Sequence, residues 1–212
     1  DDVAFLVYTS GTTGRPKGSM ITHGNISWVA SQIPNFSLVE SVKSKEPQFL
    51  SYLPLCHIFG RLTDLLIASH TMATINFAKS IDTIQIHLAE IQPTIFPAVP
   101  RILERMHSAA IVRMKDATFI KRQLFKVSMY LGNIAAERKL NRNFNDPIAK
   151  NKKKIGWLLS FRALKKKLGL SKAETAISGA APIAPEILKF FLALGVPIFE
   201  GYDMKENCGY AS

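Results

Sequence analysis

The sequence predicts an α/β fold, a mainly parallel sheet flanked by helices, and three observations lead there. Short apolar runs, several rich in β-branched residues, alternate with helix-length stretches at the spacing of crossover units. Loops follow Tyr8, Leu53 and Phe96, and in open parallel sheets ligands sit beyond the carboxyl ends of the strands. The alternation breaks once, from Arg101 to about Leu170, where a basic helical stretch intervenes, and then resumes.

Each element follows from its local pattern. Val3 to Tyr8 reads as a buried strand, and a helix begins near Thr22 and runs to Gln32. Residues 34–47 are polar and turn-rich. Gln48 to Leu53 is a second strand, ended by Pro54, and Leu55 to Gly60 turns into a helix from Arg61 to His70. Thr71 to Ala78 reads as a third strand. Asp82 is an N-cap, with Gln85 at the capping-box position, for a helix to Ile91 that Pro93 stops. Thr94 to Phe96 is a short fourth strand, and Val99-Pro100 opens the next helix at Arg101. Ile102, Leu103, Met106, Ala109 and Ala110 have helical spacing, as do Leu124, Val127, Leu131, Ile134 and Ala135. Residues 141–147 form a turn. Ala173 to Ile177 resumes the sheet, Pro185 to Leu194 is a helix stopped by Gly195, and Val196 to Glu200 is a last strand.

At 212 residues, 47% hydrophobic and 20% charged, the chain is globular in composition. It has no run of about 18 uncharged apolar residues, so no membrane span is expected. It begins Asp1-Asp2, two residues ahead of a strand, which points to an excerpt of a longer protein without a signal peptide. Two cysteines, Cys56 and Cys208, are too few for a disulfide framework or a zinc site and fit a reducing compartment. The formal charge of +11 is uneven: residues 101–172 carry nineteen Lys/Arg against four acids. Within that insert-like region, Lys152-Lys153-Lys154 and Lys165-Lys166-Lys167 flank a stretch holding Trp157 and Phe161. Three readings stand open there: contact with an anionic membrane surface, a solvated basic helix, and nucleic-acid binding, the last without an accompanying motif.

The stretch furthest from background composition is Tyr8-Thr9-Ser10-Gly11-Thr12-Thr13-Gly14-Arg15-Pro16-Lys17-Gly18. An apolar strand leads in, and a helix is expected after it. Glycines let backbone N–H groups approach an anion, hydroxyls donate further hydrogen bonds, and Arg15 and Lys17 supply charge. A following helix N-terminus would add its dipole. The pattern is not a Walker A loop, because Gly18 stands where the Mg²⁺-binding hydroxyl would follow the lysine.

This stretch resembles the AMP-binding signature of the acyl-adenylate-forming enzymes. The resemblance implies that the chain is part of the large N-terminal domain of that fold, spanning 1–212 with a basic helical insert at 101–172 and without the C-terminal domain. It also implies nucleotide contacts from Thr9, Ser10, Gly11, Thr12, Thr13, Gly14 and Lys17 at the ATP phosphates. Ser178-Gly179-Ala180-Ala181-Pro182 is similar to a second family loop that lines the adenine and acyl pocket. Glu200-Gly201-Tyr202-Asp203-Met204-Lys205-Glu206 resembles E-G-Y-G-x-T-E. By that likeness Gly201 and Tyr202 meet adenine, position 205 meets the α-phosphate, and Glu206 holds Mg²⁺. Asp203 and Lys205 depart from the pattern, replacing a glycine and a threonine. Leu53 to Gly60 resembles L-P-x-x-H, with His57 near the acyl carboxylate. The basic insert and the small-residue loop favour the long-chain fatty acid–CoA ligase branch.

The resemblance therefore implies ATP-dependent activation of a long-chain fatty acid to acyl-AMP and then acyl-CoA, with Glu206, His57 and Lys17 as the catalytic set. ATP, Mg²⁺ and coenzyme A would be the cofactors and cosubstrates, and no nucleic acid is expected. The implied setting is cytoplasmic or the cytosolic face of a membrane, in peripheral contact with anionic lipid. Another adenylate-forming activity on aryl or amino acids, and a non-catalytic binding remnant, are the competing readings.

Overall fold

The first apolar run does not join the main sheet. The computed structural model describes residues 2–9, 15–140, 160–179, 181–202 and 208–209. In it β1 (Val3–Thr9) pairs antiparallel with β2 (Lys17–Thr22), Tyr8 opposite Gly18 and Thr9 opposite Lys17. This corrects the expected strand, loop and helix. A second strand follows the glycine-rich loop, and α1 (His23–Gln32) starts only beyond it, so the helix dipole is a strand's length from the loop. The expected buried strand is corrected too: Val7 is buried, but Val3, Leu6 and Tyr8 are exposed. A two-stranded hairpin has one face to pack, and its alternate residues point away from the core. The start of α1 agrees with the sequence. The Asn25 amide donates to Thr22 Oγ1 at 3.2 Å, and the Thr22 amide donates to Asn25 Oδ1 at 2.9 Å.

The remaining strands form one sheet. A short helix α2 (Ser37–Glu40) precedes β3 (Gln48–Ser51). With β4 (Thr74–Phe77), β5 (Ile95–Pro97), β6 (Thr175–Ser178) and β7 (Ile198–Glu200) it makes five strands in the order β4-β3-β5-β6-β7. All pairings are parallel, as the crossover pattern predicts; β1, however, lies in the separate hairpin. Side chains alternate between two cores. Phe49, Ile95 and Ile177 face one built with Val7, Ile21, Val29 and Ile58. Leu50, Phe96 and Ala176 face the other, with Leu88, Leu103, Met106 and Phe191. A parallel sheet covered on both faces reads as short, continuously apolar strands.

The helices differ from expectation at their ends. The helix expected from Arg61 begins earlier, as α3 (Ile58–Arg61), and continues through a π-helical turn, Leu62–Ile67, into α4 (Ala68–His70). Asp82 is not a cap. Ser80 caps a 3₁₀ turn, Ile81–Thr83, and the Ser80 amide donates to Thr83 Oγ1 at 3.1 Å. The chain has therefore already turned before α5 (Ile84–Ile91). Gln92, with φ 52°, ends that helix just ahead of Pro93. Pro100 opens α6 (Pro100–Lys115), which is followed by α7 (Phe119–Leu140), α8 (Arg162–Lys167) and α9 (Pro185–Ala193). Among the described residues no helix is long and apolar enough to cross a membrane.

The packed face of α7 is rotated from the one its sequence advertises. Phe125, Ser128, Gly132, Ala135 and Ala136 are buried, whereas Leu124 and Val127 are exposed. The cause is a close helix crossing. A Cβ on Gly132 would lie 2.8 Å from Ala193 Cβ and 2.9 Å from Phe161 Cε2. Small residues let the backbones of α7 and α9 approach, and the aliphatic stripe is left outside. Phe161 is itself core, so it is not a surface anchor, and Lys165 is buried with Nζ donating to Ala173 O at 3.2 Å. Lys166 and Lys167 are exposed, while Trp157 and Lys152 to Lys154 lie outside the described residues. Gly169, at φ 73°, passes so close to α5 that a Cβ would sit 2.3 Å from Leu88 C.

Gly132→Ala is expected to lower the thermal midpoint. Alanine gains up to about 1 kcal/mol in helix propensity, and overpacking at a rigid contact costs about 1–3 kcal/mol. Thermal unfolding followed by circular dichroism should rank the wild type above Gly132→Ala and that above Gly132→Val. A midpoint raised by alanine would refute the close crossing.

Candidate nucleotide site

Parallel strands deliver their outgoing loops to one edge. Ser51 ends β3 and leads into Tyr52 to Gly60, Ser178 ends β6 and leads into Gly179, and Glu200 ends β7 and leads into Gly201. Pairing continues past the strand ends. The Ala98 amide donates to Ile177 O at 2.7 Å, and the Gly201 amide donates to Ser178 O at 2.8 Å. Glu200 Oε1 accepts from the Ile183 amide at 3.1 Å, tying the small-residue loop to the end of β7. Ser178 is thereby brought against Gly201, with Gly179 and Tyr202 next along their segments. Gly179 is buried, Ala181 is exposed, and Tyr202 is 63% exposed, its ring open to a ligand. Ser178 is 1% exposed, and its Oγ has no hydrogen-bond partner among the described residues. A buried orphan hydroxyl is costly unless something satisfies it, and this one sits at the strand end where a ligand is expected.

The phosphate loop is approached from its two anchors. Ser10, Gly11, Thr12, Thr13 and Gly14 lie outside the described residues, as do Ala180, Lys205 and Glu206. Thr9 and Lys17 are paired across the hairpin, and Arg15 and Lys17 are exposed. Val7 and Ile21 hold the hairpin against Phe49, Ile95 and Ile177, so the loop springs from a strand pair docked on the sheet. His57 is exposed at the N-cap of α3; its amide donates to Pro54 O at 2.9 Å, and its side chain makes no cap bond. Arg61 was not singled out from the sequence. Its Nε donates to Leu55 O at 2.7 Å, and its guanidinium stands 4.0 Å from the centroid of the Phe5 ring. It thus ties the His57 turn to the hairpin that carries the phosphate loop. Among the described residues no three His, Cys, Asp or Glu side chains gather as a metal site.

The chain is similar along its whole length to known proteins. The AMP-binding enzyme family matches residues 1–212. The chain belongs to that family. It is 34% identical over 210 residues to human long-chain-fatty-acid–CoA ligase ACSBG2, covering 97% of this chain and 30% of that protein. It is 33% identical over 212 residues to long chain acyl-CoA synthetase 3 of Arabidopsis thaliana, covering 98% of this chain and 30% of that protein. The chain therefore spans about a third of the length of these relatives. Among solved structures, the inhibitor-bound N-terminal domain of FACL13 from Mycobacterium tuberculosis aligns with a TM-score of 0.59 at 22% identity. That alignment covers 99% of this chain and 38% of that one. O-succinylbenzoate coenzyme A synthetase (MenE) from Bacillus subtilis, in complex with AMP, aligns at 0.54 and 21% identity, with 99% and 39% covered. The fold of this AMP-binding chain is that of the N-terminal domains of adenylate-forming enzymes.

One buried acid lies close to the site and was also missed. Asp64 is 2% exposed, inside the π-helical turn. Ser51 Oγ, at the end of β3, donates to its Oδ2 at 2.5 Å. Thr63 Oγ1 has one proton but three acceptors around it: Phe59 O at 3.0 Å, Gly60 O at 3.3 Å and Asp64 Oδ1 at 3.0 Å. Burial pushes the Asp64 carboxyl above its ordinary range, against the opposing pull of the Ser51 and Thr63 hydrogen bonds. The signal available in sequence was a lone acid inside the apolar run Leu62 to Ile67.

The sign of the pH effect follows. Below the ordinary carboxylate range Asp64 is neutral whether the chain is folded or not, and its contribution is fully present. As pH rises through the raised folded value, the unfolded chain is already ionised while the folded chain must ionise a buried group, so stability falls. Asp64→Asn keeps an acceptor for Ser51 and supplies a donor for Thr63 without ionising. It is expected to raise the thermal midpoint at neutral pH, with the gain shrinking in mild acid. An unchanged midpoint at both would show that Asp64 does not carry this cost.

Proposed function

We propose that this chain is the nucleotide-binding part of an ATP-dependent, AMP-forming long-chain fatty acid–CoA ligase. The observation that carries the reading is the bond from the Gly201 amide to Ser178 O, which joins the two loop starts at the carboxyl edge of the sheet, in a chain of the AMP-binding family. A fatty carboxylate oxygen attacks the α-phosphorus of ATP and pyrophosphate leaves, giving acyl-AMP. The coenzyme A thiolate then attacks the acyl carbon and AMP leaves. Such chemistry depends mainly on positioning and charge neutralisation. In this reading Ser10 to Gly14 and Lys17 hold the departing pyrophosphate. Thr9, Ala180 and Ala181 complete the nucleotide cradle, Tyr202 lies on adenine, and His57 meets the acyl carboxylate. Ser178 fits a nucleotide because its orphan hydroxyl gains a partner on binding. Glu206 would hold Mg²⁺, which supplies neutralising charge to the phosphates.

Pyrophosphate exchange with a panel of carboxylic acids tests the reading on the full-length protein. Exchange is expected with long-chain fatty acids and is expected to be lost, with the fold retained, in Thr12→Ala/Lys17→Ala. Exchange confined to aryl or amino acids would replace the fatty-acid reading with another activation. No exchange with any acid would leave a non-catalytic nucleotide binder.

Lys205 gives the site a cation where the family pattern has a neutral hydroxyl, beside the proposed metal carboxylate. Asp203→Gly/Lys205→Thr is expected to raise the exchange rate, since one transition-state donor is worth about two to three orders of magnitude. Equal rates would show that positions 203 and 205 do not touch the reacting phosphate.

A further inference from the structure

The turn that carries His57 is closed at its base by one hydrogen bond. Ser51 is the last residue of β3, and Asp64 lies in the π-helical turn that follows α3. Ser51 Oγ donates to Asp64 Oδ2 at 2.5 Å across thirteen positions of sequence, and both residues are buried. Between them the backbone is drawn in on Pro54. The His57 amide donates to Pro54 O at 2.9 Å, and a Cβ on Gly60 would lie 2.9 Å from the same oxygen. Arg61 Nε adds a bond to Leu55 O at 2.7 Å. The Tyr52 hydroxyl accepts from the Val99 amide at 3.4 Å, fixing the residue after Ser51. The exposed His57 side chain makes no cap bond to α3, so the backbone around it sets where its ring stands.

An acid at position 64 carries a cost that an apolar residue would not. A buried carboxyl loses its water, and on the same turn Leu62 and Ile67 are buried without that loss. What the carboxyl adds is two acceptor oxygens in one short side chain. Oδ2 holds Ser51 at the entry of the turn, and Oδ1 stands 3.0 Å from Thr63 Oγ1. The Thr63 hydroxyl in turn lies 3.0 Å from Phe59 O and 3.3 Å from Gly60 O, carbonyls of α3 just after His57. The helix is widened here, with the Ala68 amide donating to Thr63 O five residues back, and such π turns recur at functional sites. The opposite end of β3 shows a tie without a functional turn to hold. There a plain hydroxyl, Thr94 Oγ1, accepts from the Gln48 amide at 2.7 Å.

We propose that Asp64 is a positioning residue for the acyl side of the reaction. Its bond with Ser51 clamps the entry of the turn to its exit and so holds His57 where a fatty carboxylate meets it. Asp64 itself touches no substrate; it acts through Ser51 and the turn. What His57 does rests on the proposed function, whereas how His57 is held rests on the geometry of residues 51–64 alone.

Two measurements on the full-length protein test it. Amide hydrogen exchange across residues 53–61 reads the clamp without turnover. Ser51→Ala and Asp64→Ala are each expected to speed it about tenfold, since a buried hydrogen bond is lost and its other partner is left unsatisfied. The double variant should add little, because both changes remove the same bond. Asp64→Asn keeps an acceptor for Ser51 and should retain the wild-type protection. Pyrophosphate exchange then reads the consequence. Ser51→Ala and Asp64→Ala are expected to raise the KM for fatty acid about tenfold with the KM for ATP held, and Asp64→Asn to restore it. Thr94→Val, which cuts the tie at the other end of β3, should lower the thermal midpoint and move neither KM. Should Asp64→Ala fail to fold, Ser51→Ala and Asp64→Asn carry both comparisons. Unaltered exchange across 53–61 in Ser51→Ala overturns the clamp. A fatty-acid KM that moves no further in Ser51→Ala than in Thr94→Val overturns the positioning role. A wild type that exchanges with no fatty acid removes the acyl role together with the proposed function, while the amide measurement still decides the clamp.

Discussion

The parallel pairing of β3, β5, β6 and β7 is the constraint on which the rest depends. A parallel sheet needs a crossover between neighbours, and each crossover covers a face. With both faces covered, Phe49, Ile95 and Ile177 commit to one core and Leu50, Phe96 and Ala176 to the other. A slip of one residue would exchange every member of these sets. The same direction of travel sends the outgoing loops to one edge. Turns distant in sequence, at His57, Ser178 and Tyr202, thus leave the same edge of the sheet by backbone geometry alone.

The hairpin adds what the sheet lacks. Its two strands are too few to be stable alone, and it holds its position by inserting Val7 and Ile21 into the core shared with Phe49 and Ile58. Arg61 then works at both ends, bonding Leu55 O and lying on the Phe5 ring. The π-helical turn that follows brings Asp64 under Ser51 at the end of β3. Hairpin, His57 turn and sheet edge are therefore joined by polar contacts as well as apolar ones. A buried acid whose carboxyl is pushed above its ordinary range is a cost tolerated near a site. The orphan hydroxyl of Ser178 is a second such cost on the same edge.

The basic region is less separate than its composition implies. Leu103, Met106, Phe125, Phe161 and Leu164 all belong to the larger core. The two helices α7 and α9 cross at Gly132 and Ala193 and are linked again where Lys189 Nζ stands 3.7 Å from Glu137 Oε1. Among the described residues most of this positive charge lies on the outer faces of helices whose inner faces complete the domain. Lys165 shows how far this goes: its stem is covered and its ammonium bonds a backbone carbonyl.

By itself the sequence determined the alternation of strand and helix, the parallel sense of the main sheet, the start of α1 near Thr22, and the family membership carried by the loops at 8–18, 53–60, 178–182 and 200–206. These are local signals: period, cap chemistry and turn residues act over a few positions, and a motif is read wherever it stands. Only the tertiary structure decided that β1 folds back on β2 instead of entering the sheet, since strand partners are chosen by what is available to cover each face. The packed face of α7 was decided by how closely α9 approaches, which favoured Gly132 and Ala136 over Leu124 and Val127. The roles of Arg61 and Asp64 were decided by neighbours many residues away, Phe5 and Ser51. Those contacts depend on how the elements are brought together, and no window of sequence contains both partners and the distance between them.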